Sequence, residues 1–111
     1  MFTMYWKHQT NVYMETFVDL INAPTPVLVD FFAEWCTPCK TMSTILKQLK
    51  DKQGDALRII KIDIDRNPSV TLHYSVQAVP TLMIFKDGKQ LWRQSGVVDA
   101  TSLNHIVEML K

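Results

Sequence analysis

The run Val27-Leu28-Val29-Asp30-Phe31-Phe32-Ala33 is apolar on both of its alternating faces and carries one charge. A strand of that kind is covered on both sides, as in a parallel sheet sandwiched between helices. Asn22-Ala23-Pro24-Thr25-Pro26 precedes it and ends any earlier helix, because each proline holds its predecessor extended. After it come Cys36 and Cys39, then Met42, Ile45, Leu46 and Leu49 at helical spacing, with Gly54 just past the helix end.

The remaining pattern fits around this strand–helix unit. Phe2 to Trp6 predicts a short edge strand, and Thr10 or Asn11 caps a helix presenting Val12, Phe17, Leu20 and Ile21. Leu57 to Ile64 predicts a strand in which Ile60, Ile62 and Ile64 alternate with Lys61, Asp63 and Asp65. Asn67-Pro68 opens a short helix to about Tyr74. Thr81 to Phe85 is a strand, Asp87-Gly88 a hairpin turn, and Gln90 to Gln94 its partner strand. Gly96 breaks that strand, and Ala100 to Leu110 closes the chain as an amphipathic helix. The order β-α-β-α-β-α-β-β-α predicts an α/β fold, a mixed sheet with helices on both faces. The 111 residues suit a single domain over 1–111, and 47% hydrophobic residues supply a core.

A formal charge of +1 gives no electrostatic case for nucleic acid or an anionic membrane. The longest apolar run, Val27 to Ala33, is too short to span a bilayer. The N-terminus has no basic region, long apolar stretch or small-residue cleavage site, so a cytoplasmic location is expected. Lys47, Lys50 and Lys52 read as a solvated helix face, and the methionines as core filler. His73 and His105 have no partner in the sequence that would make them catalytic.

Cys36-Thr37-Pro38-Cys39 lies between the buried strand and the next helix. Cys36 is expected at the helix's first turn, where unpaired backbone N–H groups favour a thiolate. Such positions bring a thiol pKa down to roughly 3.5–7.5. Cys36 then attacks a client disulfide, and Cys39, one turn on, resolves the mixed disulfide. Pro38 suits an early helical position. Two other readings stand beside this one. Zinc needs four ligands, and only His8, His73 and His105, scattered singly, could complete a site, so no metal is assigned. Inert core thiols are the other. Asp30 is open in the same way. Burial would raise its pKa and suit it to take the Cys39 proton, while a strand edge would let it reach water or Lys61.

Taken together, these residues resemble the thioredoxin family. Asp30-Phe31-Phe32-Ala33-Glu34-Trp35-Cys36-Thr37-Pro38-Cys39-Lys40 is close to its active-site sequence. Lys61-Ile62-Asp63-Ile64-Asp65, Asn67-Pro68, Val79-Pro80-Thr81, Phe85-Lys86-Asp87-Gly88 and Gly96 recur at family-like spacings, from about Asn11 to the C-terminus. The resemblance implies a thioredoxin fold with a central mixed five-stranded sheet. It makes Cys36 the exposed attacking thiol, Cys39 the buried resolving thiol, and Asp30, near Lys61, the buried acid. Pro80 would be cis and lie against the disulfide. Trp35, Val79, Pro80, Gly96 and Val97, with Thr37 and Pro38 beside the cysteines, would meet client chains, and the Val79 backbone would pair with an extended client strand. Val97 has core packing as its alternative.

The implied activity is protein-disulfide reduction with no bound cofactor. Electrons would come from NADPH through a flavin-containing thioredoxin reductase and pass to disulfide-containing clients. A monomer is expected separately, because one domain with a balanced surface needs no partner to fold. Thr37 and Phe32 depart from the family pattern of glycine and tryptophan. Thr37 stiffens the loop between the cysteines and places a hydroxyl near the sulfurs, which shifts the reduction potential. Phe32 keeps the packing but removes an indole N–H near Asp30. A disulfide oxidase or isomerase, and a binding platform that makes no use of the thiols, are the alternative functions. The first would show a more oxidising potential, and the second would survive loss of Cys36.

Overall fold

The computed structural model describes residues 8–9 and 14–111. The strand expected over 2–6, the caps Thr10 and Asn11, and Val12 lie outside the described residues. Along the chain the elements are β1 (His8–Gln9), α1 (Met14–Ile21), β2 (Val27–Phe32), α2 (Thr37–Gln53), β3 (Arg58–Asp63), α3 (Pro68–His73), β4 (Thr81–Lys86), β5 (Lys89–Ser95) and α4 (Ala100–Leu110). A single 3₁₀ turn, Gly54–Ala56, joins α2 to β3.

The strands form one mixed sheet in the order β1-β3-β2-β4-β5. The two-residue β1 and β2 both run parallel to β3, whereas β4 is antiparallel to β2 and β5. All six residues of β2 are buried, which explains why its sequence is apolar on both parities. Val27, Val29 and Phe31 enter one core with Phe17, Ile21, Ile60, Ile62, Val70 and Phe85, under α1 and α3. On the opposite face Leu28 joins Met42, Leu46, Leu49, Ile59, Leu82, Leu103 and Val107, under α2 and α4. The helices therefore cover both faces, as the element order predicts. Among the described residues no helix is long and apolar enough to cross a membrane.

Several side chains sit differently from the sequence expectation. Ile60 and Ile62 face the α1/α3 core, but the polar residues alternating with them are also buried, Lys61 at 6% exposure and Asp63 at 1%. β3 lies between β1 and β2, with α2 above its polar face, so alternation there does not mean solvent. Lys50 is not part of a solvated face. It is buried, and its Nζ donates to the carbonyls of Gly54 (2.7 Å) and Leu57 (2.6 Å), tying the end of α2 to the start of β3. Met42 and Met83 are core residues, whereas Met109 is exposed. The hairpin turn has positive φ at both central residues, Asp87 (54°) and Gly88 (79°), the type I′ geometry that Asp-Gly favours.

Candidate active site

Strand β2 leaves the sheet at Phe32, and Ala33, Glu34 and Trp35 turn the chain into α2. The Cys36 N–H donates to the Ala33 carbonyl at 3.2 Å and closes that turn. Cys36 is the N-cap residue of α2 rather than a member of its first turn, with extended backbone (φ −93°, ψ 110°). The Cys39 N–H donates to Cys36 Sγ at 3.2 Å, so the sulfur occupies the place usually taken by a serine or aspartate oxygen. Thr37 and Pro38 follow as the first helical residues, where proline's missing N–H costs nothing. Cys36 and Cys39 are joined in a disulfide.

In this oxidised pair Cys36 is not exposed. It is 4% accessible and Cys39 is 3%, both packed with Phe32, Ala33 and Val79. The asymmetry between the thiols lies in their surroundings. Cys36 Sγ is 3.7 Å from the Val79 carbonyl oxygen. Cys39 instead lines a cleft of about 160 Å³ with Glu34, Lys40, Ser43 and Lys61. The Val79–Pro80 bond is cis, and the Gly96 N–H donates to the Pro80 carbonyl at 2.8 Å. Gly96 adopts φ +91°, a conformation open to glycine and costly for other residues.

Asp30 lies in β2 on the α2 side and is wholly buried, and neither carboxylate oxygen has a hydrogen-bond partner among the described residues. Burial pushes its pKa up from 3.8 to about 7, against a smaller downward pull from Lys61. Lys61 stands opposite Asp30 in the β2–β3 register. Its Nζ donates to Ser43 Oγ at 2.6 Å and sits 4.7 Å from the Phe32 ring centre. Burial lowers the Lys61 pKa first, Asp30 pulls it back up, and Lys47 lowers it further. The ammonium is thus held by a hydroxyl and a ring while the carboxyl stays unbonded. Phenylalanine at position 32 has no ring N–H to offer it.

The thioredoxin family model matches residues 8–110. The chain belongs to the thioredoxin family. It is 44% identical over 96 residues to the thioredoxin of Chlamydia trachomatis, an alignment covering 86% of this chain and 92% of that one. A thioredoxin-like protein of Synechocystis is 42% identical over 84 residues, covering 76% of this chain and 80% of the relative. Among solved structures, Fasciola hepatica thioredoxin superposes with a TM-score of 0.82 at 31% identity, over 94% of this chain and 98% of that one. As a thioredoxin it is a thiol–disulfide oxidoreductase. Thioredoxins carry no cofactor of their own, because the dithiol holds the electrons.

The fold brings together Cys36, Cys39, Val79, Pro80 and Gly96, which the sequence spreads over 61 positions. Trp35 is 69% exposed beside them, and its indole N–H donates to Asp65 Oδ2 at 2.9 Å. Val97 is 43% exposed, so it is a surface residue and not core packing. Thr37 is exposed, and among the described residues it makes no hydrogen bond to either sulfur. Sequence reasoning missed Ser43, Asp65, Arg93 and Ser95. Each acts on a partner at least 14 positions away, across elements, so no local spacing marks it.

Proposed function

We propose that the protein reduces disulfide bonds in client proteins, with Cys36 as attacking thiolate and Cys39 as resolving thiol. The observation that carries this reading is the cysteine pair at the start of α2, with the Cys39 N–H donated to Cys36 Sγ at 3.2 Å. In the reduced protein the same N–H and the free amides of the first turn stabilise a Cys36 thiolate. That thiolate attacks one client sulfur. A Cys36–client bond forms, the client S–S bond breaks, and the second client sulfur leaves as a thiolate. Deprotonated Cys39 then attacks Cys36 Sγ, forming the Cys36–Cys39 bond and releasing the first client sulfur. Two electrons pass to the client.

Asp30 takes the proton that leaves Cys39, since a carboxyl with a pKa of about 7 holds and gives up a proton near neutral pH. Lys61, which pulls the Asp30 pKa down, lines a cleft together with Cys39 and Ser43. Trp35, Thr37, Pro38, Val79, Pro80, Gly96 and Val97 form the face that meets the client, with the Val79 backbone pairing to an extended segment. The same proposal includes recharging by NADPH through a flavin-containing thioredoxin reductase, action as a monomer, and a cytoplasmic setting. Its support is family membership and the need of a dithiol reductant for a reducing compartment.

The role assignment is tested by trapping. Cys39→Ser incubated with a disulfide-bonded client accumulates a mixed disulfide through Cys36, and Cys36→Ser forms none. Equal trapping by Cys36→Ser would reverse the assignment.

A further inference from the structure

Groups from the start of β4 and the end of β5 hold four carbonyls of the segment that joins α3 to β4, those of Tyr74, Ser75, Ala78 and Pro80. The Arg93 guanidinium donates through Nη1 to the carbonyl of Tyr74 and through Nη2 to that of Ser75, the latter at 2.9 Å. Ser75 has φ 53°, the left-handed conformation with which α3 ends, and the Val76 N–H donates to the Thr71 carbonyl at 3.0 Å. Thr81 Oγ1 donates to the Ala78 carbonyl at 2.6 Å and lies 2.9 Å from Ser95 Oγ. With its proton committed to Ala78, Thr81 must accept from the Ser95 hydroxyl. The Gly96 N–H takes the Pro80 carbonyl. Val79 alone in this stretch keeps its carbonyl turned towards Cys36 Sγ, at 3.7 Å.

Arg93 and Ser95 pair with Met83 and Thr81 in the β4–β5 register, two residues apart and therefore on one face of the edge strand. That face looks towards Tyr74, which packs on the α1/α3 core. Both side chains are exposed, so neither is there to fill a core. A hydrogen bond from a charged donor is stronger than a neutral one, and the planar guanidinium fork suits two adjacent carbonyls.

We infer that Arg93 and Ser95 are positioning residues that fix the Val79 backbone beside Cys36 so that an extended client strand can pair with it. The inference rests on the proposed reading that Val79 meets the client. A client strand gains from a preset backbone because the ordering cost is met before binding. A small disulfide that needs no strand pairing gains nothing.

The test compares Arg93→Gln, Arg93→Lys, Ser95→Ala and Trp35→Ala with the parent protein. Insulin serves as the protein disulfide, dithiothreitol as the electron source, and 5,5′-dithiobis(2-nitrobenzoate) as the small disulfide. Arg93→Gln is expected to raise the KM for insulin roughly three- to tenfold with kcat unchanged, and to leave the small-disulfide rate as it was. Ser95→Ala moves the same way by less, and Arg93→Lys, with one donor group for two carbonyls, recovers only part. Amide hydrogen exchange over residues 75–79 rises in Arg93→Gln. An unchanged insulin KM in Arg93→Gln and Ser95→Ala, with a raised KM in Trp35→Ala, would overturn the inference and leave the docking face intact. An unchanged KM in Trp35→Ala as well would overturn the docking face itself. Parallel loss of kcat and small-disulfide rate in Arg93→Gln would make Arg93 a merely structural residue.

Discussion

Asp30 shows at the scale of one residue how burial sets chemistry. Its carboxyl is enclosed, unbonded among the described residues, and raised to a pKa of about 7 by loss of solvent. The folded protein therefore binds this proton more tightly than the unfolded chain, whose carboxyl has the ordinary value of 3.8. Stability from this group is fully present below pH 3.8 and is lost as pH rises through about 7. The interval corresponds to roughly 4 kcal/mol at about 1.4 kcal/mol per pH unit. Asp30→Asn, which cannot ionise, is expected to raise the free energy of unfolding at pH 8 by up to that amount and to flatten its decline between pH 4 and 8. Urea unfolding at several pH values checks this. A variant as pH-dependent as the parent would contradict the origin given for the shift. The same substitution is expected to slow disulfide reduction, because Cys39 loses its proton acceptor. Stability and activity then move in opposite directions, as expected where a buried charge is kept for function.

Among the elements, α2 carries the site at its start and an unexpected anchor at its end. Lys50 Nζ satisfies the Gly54 and Leu57 carbonyls, so Lys50→Met leaves two carbonyls without that donor while keeping the apolar stem. The expected loss is about 1–3 kcal/mol of stability with thiol chemistry unchanged, since the cysteines lie at the opposite end of the helix. Chemical denaturation together with the rate of thiol alkylation measures both, and an altered alkylation rate would contradict the separation. Lys50 also marks where the sequence was hard to read. A lysine near a helix end looks solvated, and only the return of the chain into β3 supplies the carbonyls that bury it. Lys61 and Asp63 alternate with isoleucines and look like a wet face, but Ser43 of α2 binds Lys61, and Asp63 is buried where it accepts from the Asp65 N–H. By contrast β2, α4 and the Asp87-Gly88 hairpin were legible, because a two-sided apolar run, helical spacing and paired positive φ are local demands. The cysteine pair was legible for the same reason. Ser43, Asp65, Arg93 and Ser95 were not, because their partners are assembled by the sheet order and not by spacing.

At the scale of the whole molecule, the fold works as a mount for one covalent switch. Two cores fix β2 between helices on both faces, β2 aims its end at α2, and β4 and β5 bring the cis Val79–Pro80 bond to the sulfurs. Among the described residues no cluster of three or more His, Cys, Asp or Glu side chains is arranged to hold a metal ion. The redox centre is the Cys36–Cys39 pair. Its potential is the most direct measure of the central claim, through titration against a dithiothreitol redox buffer with alkylation to count free thiols. A reversible two-electron transition is expected near the value of about −270 mV characteristic of thioredoxins. A midpoint at or above about −180 mV would make the protein an oxidant or isomerase, and a pair that forms no disulfide across the titration would contradict the account outright.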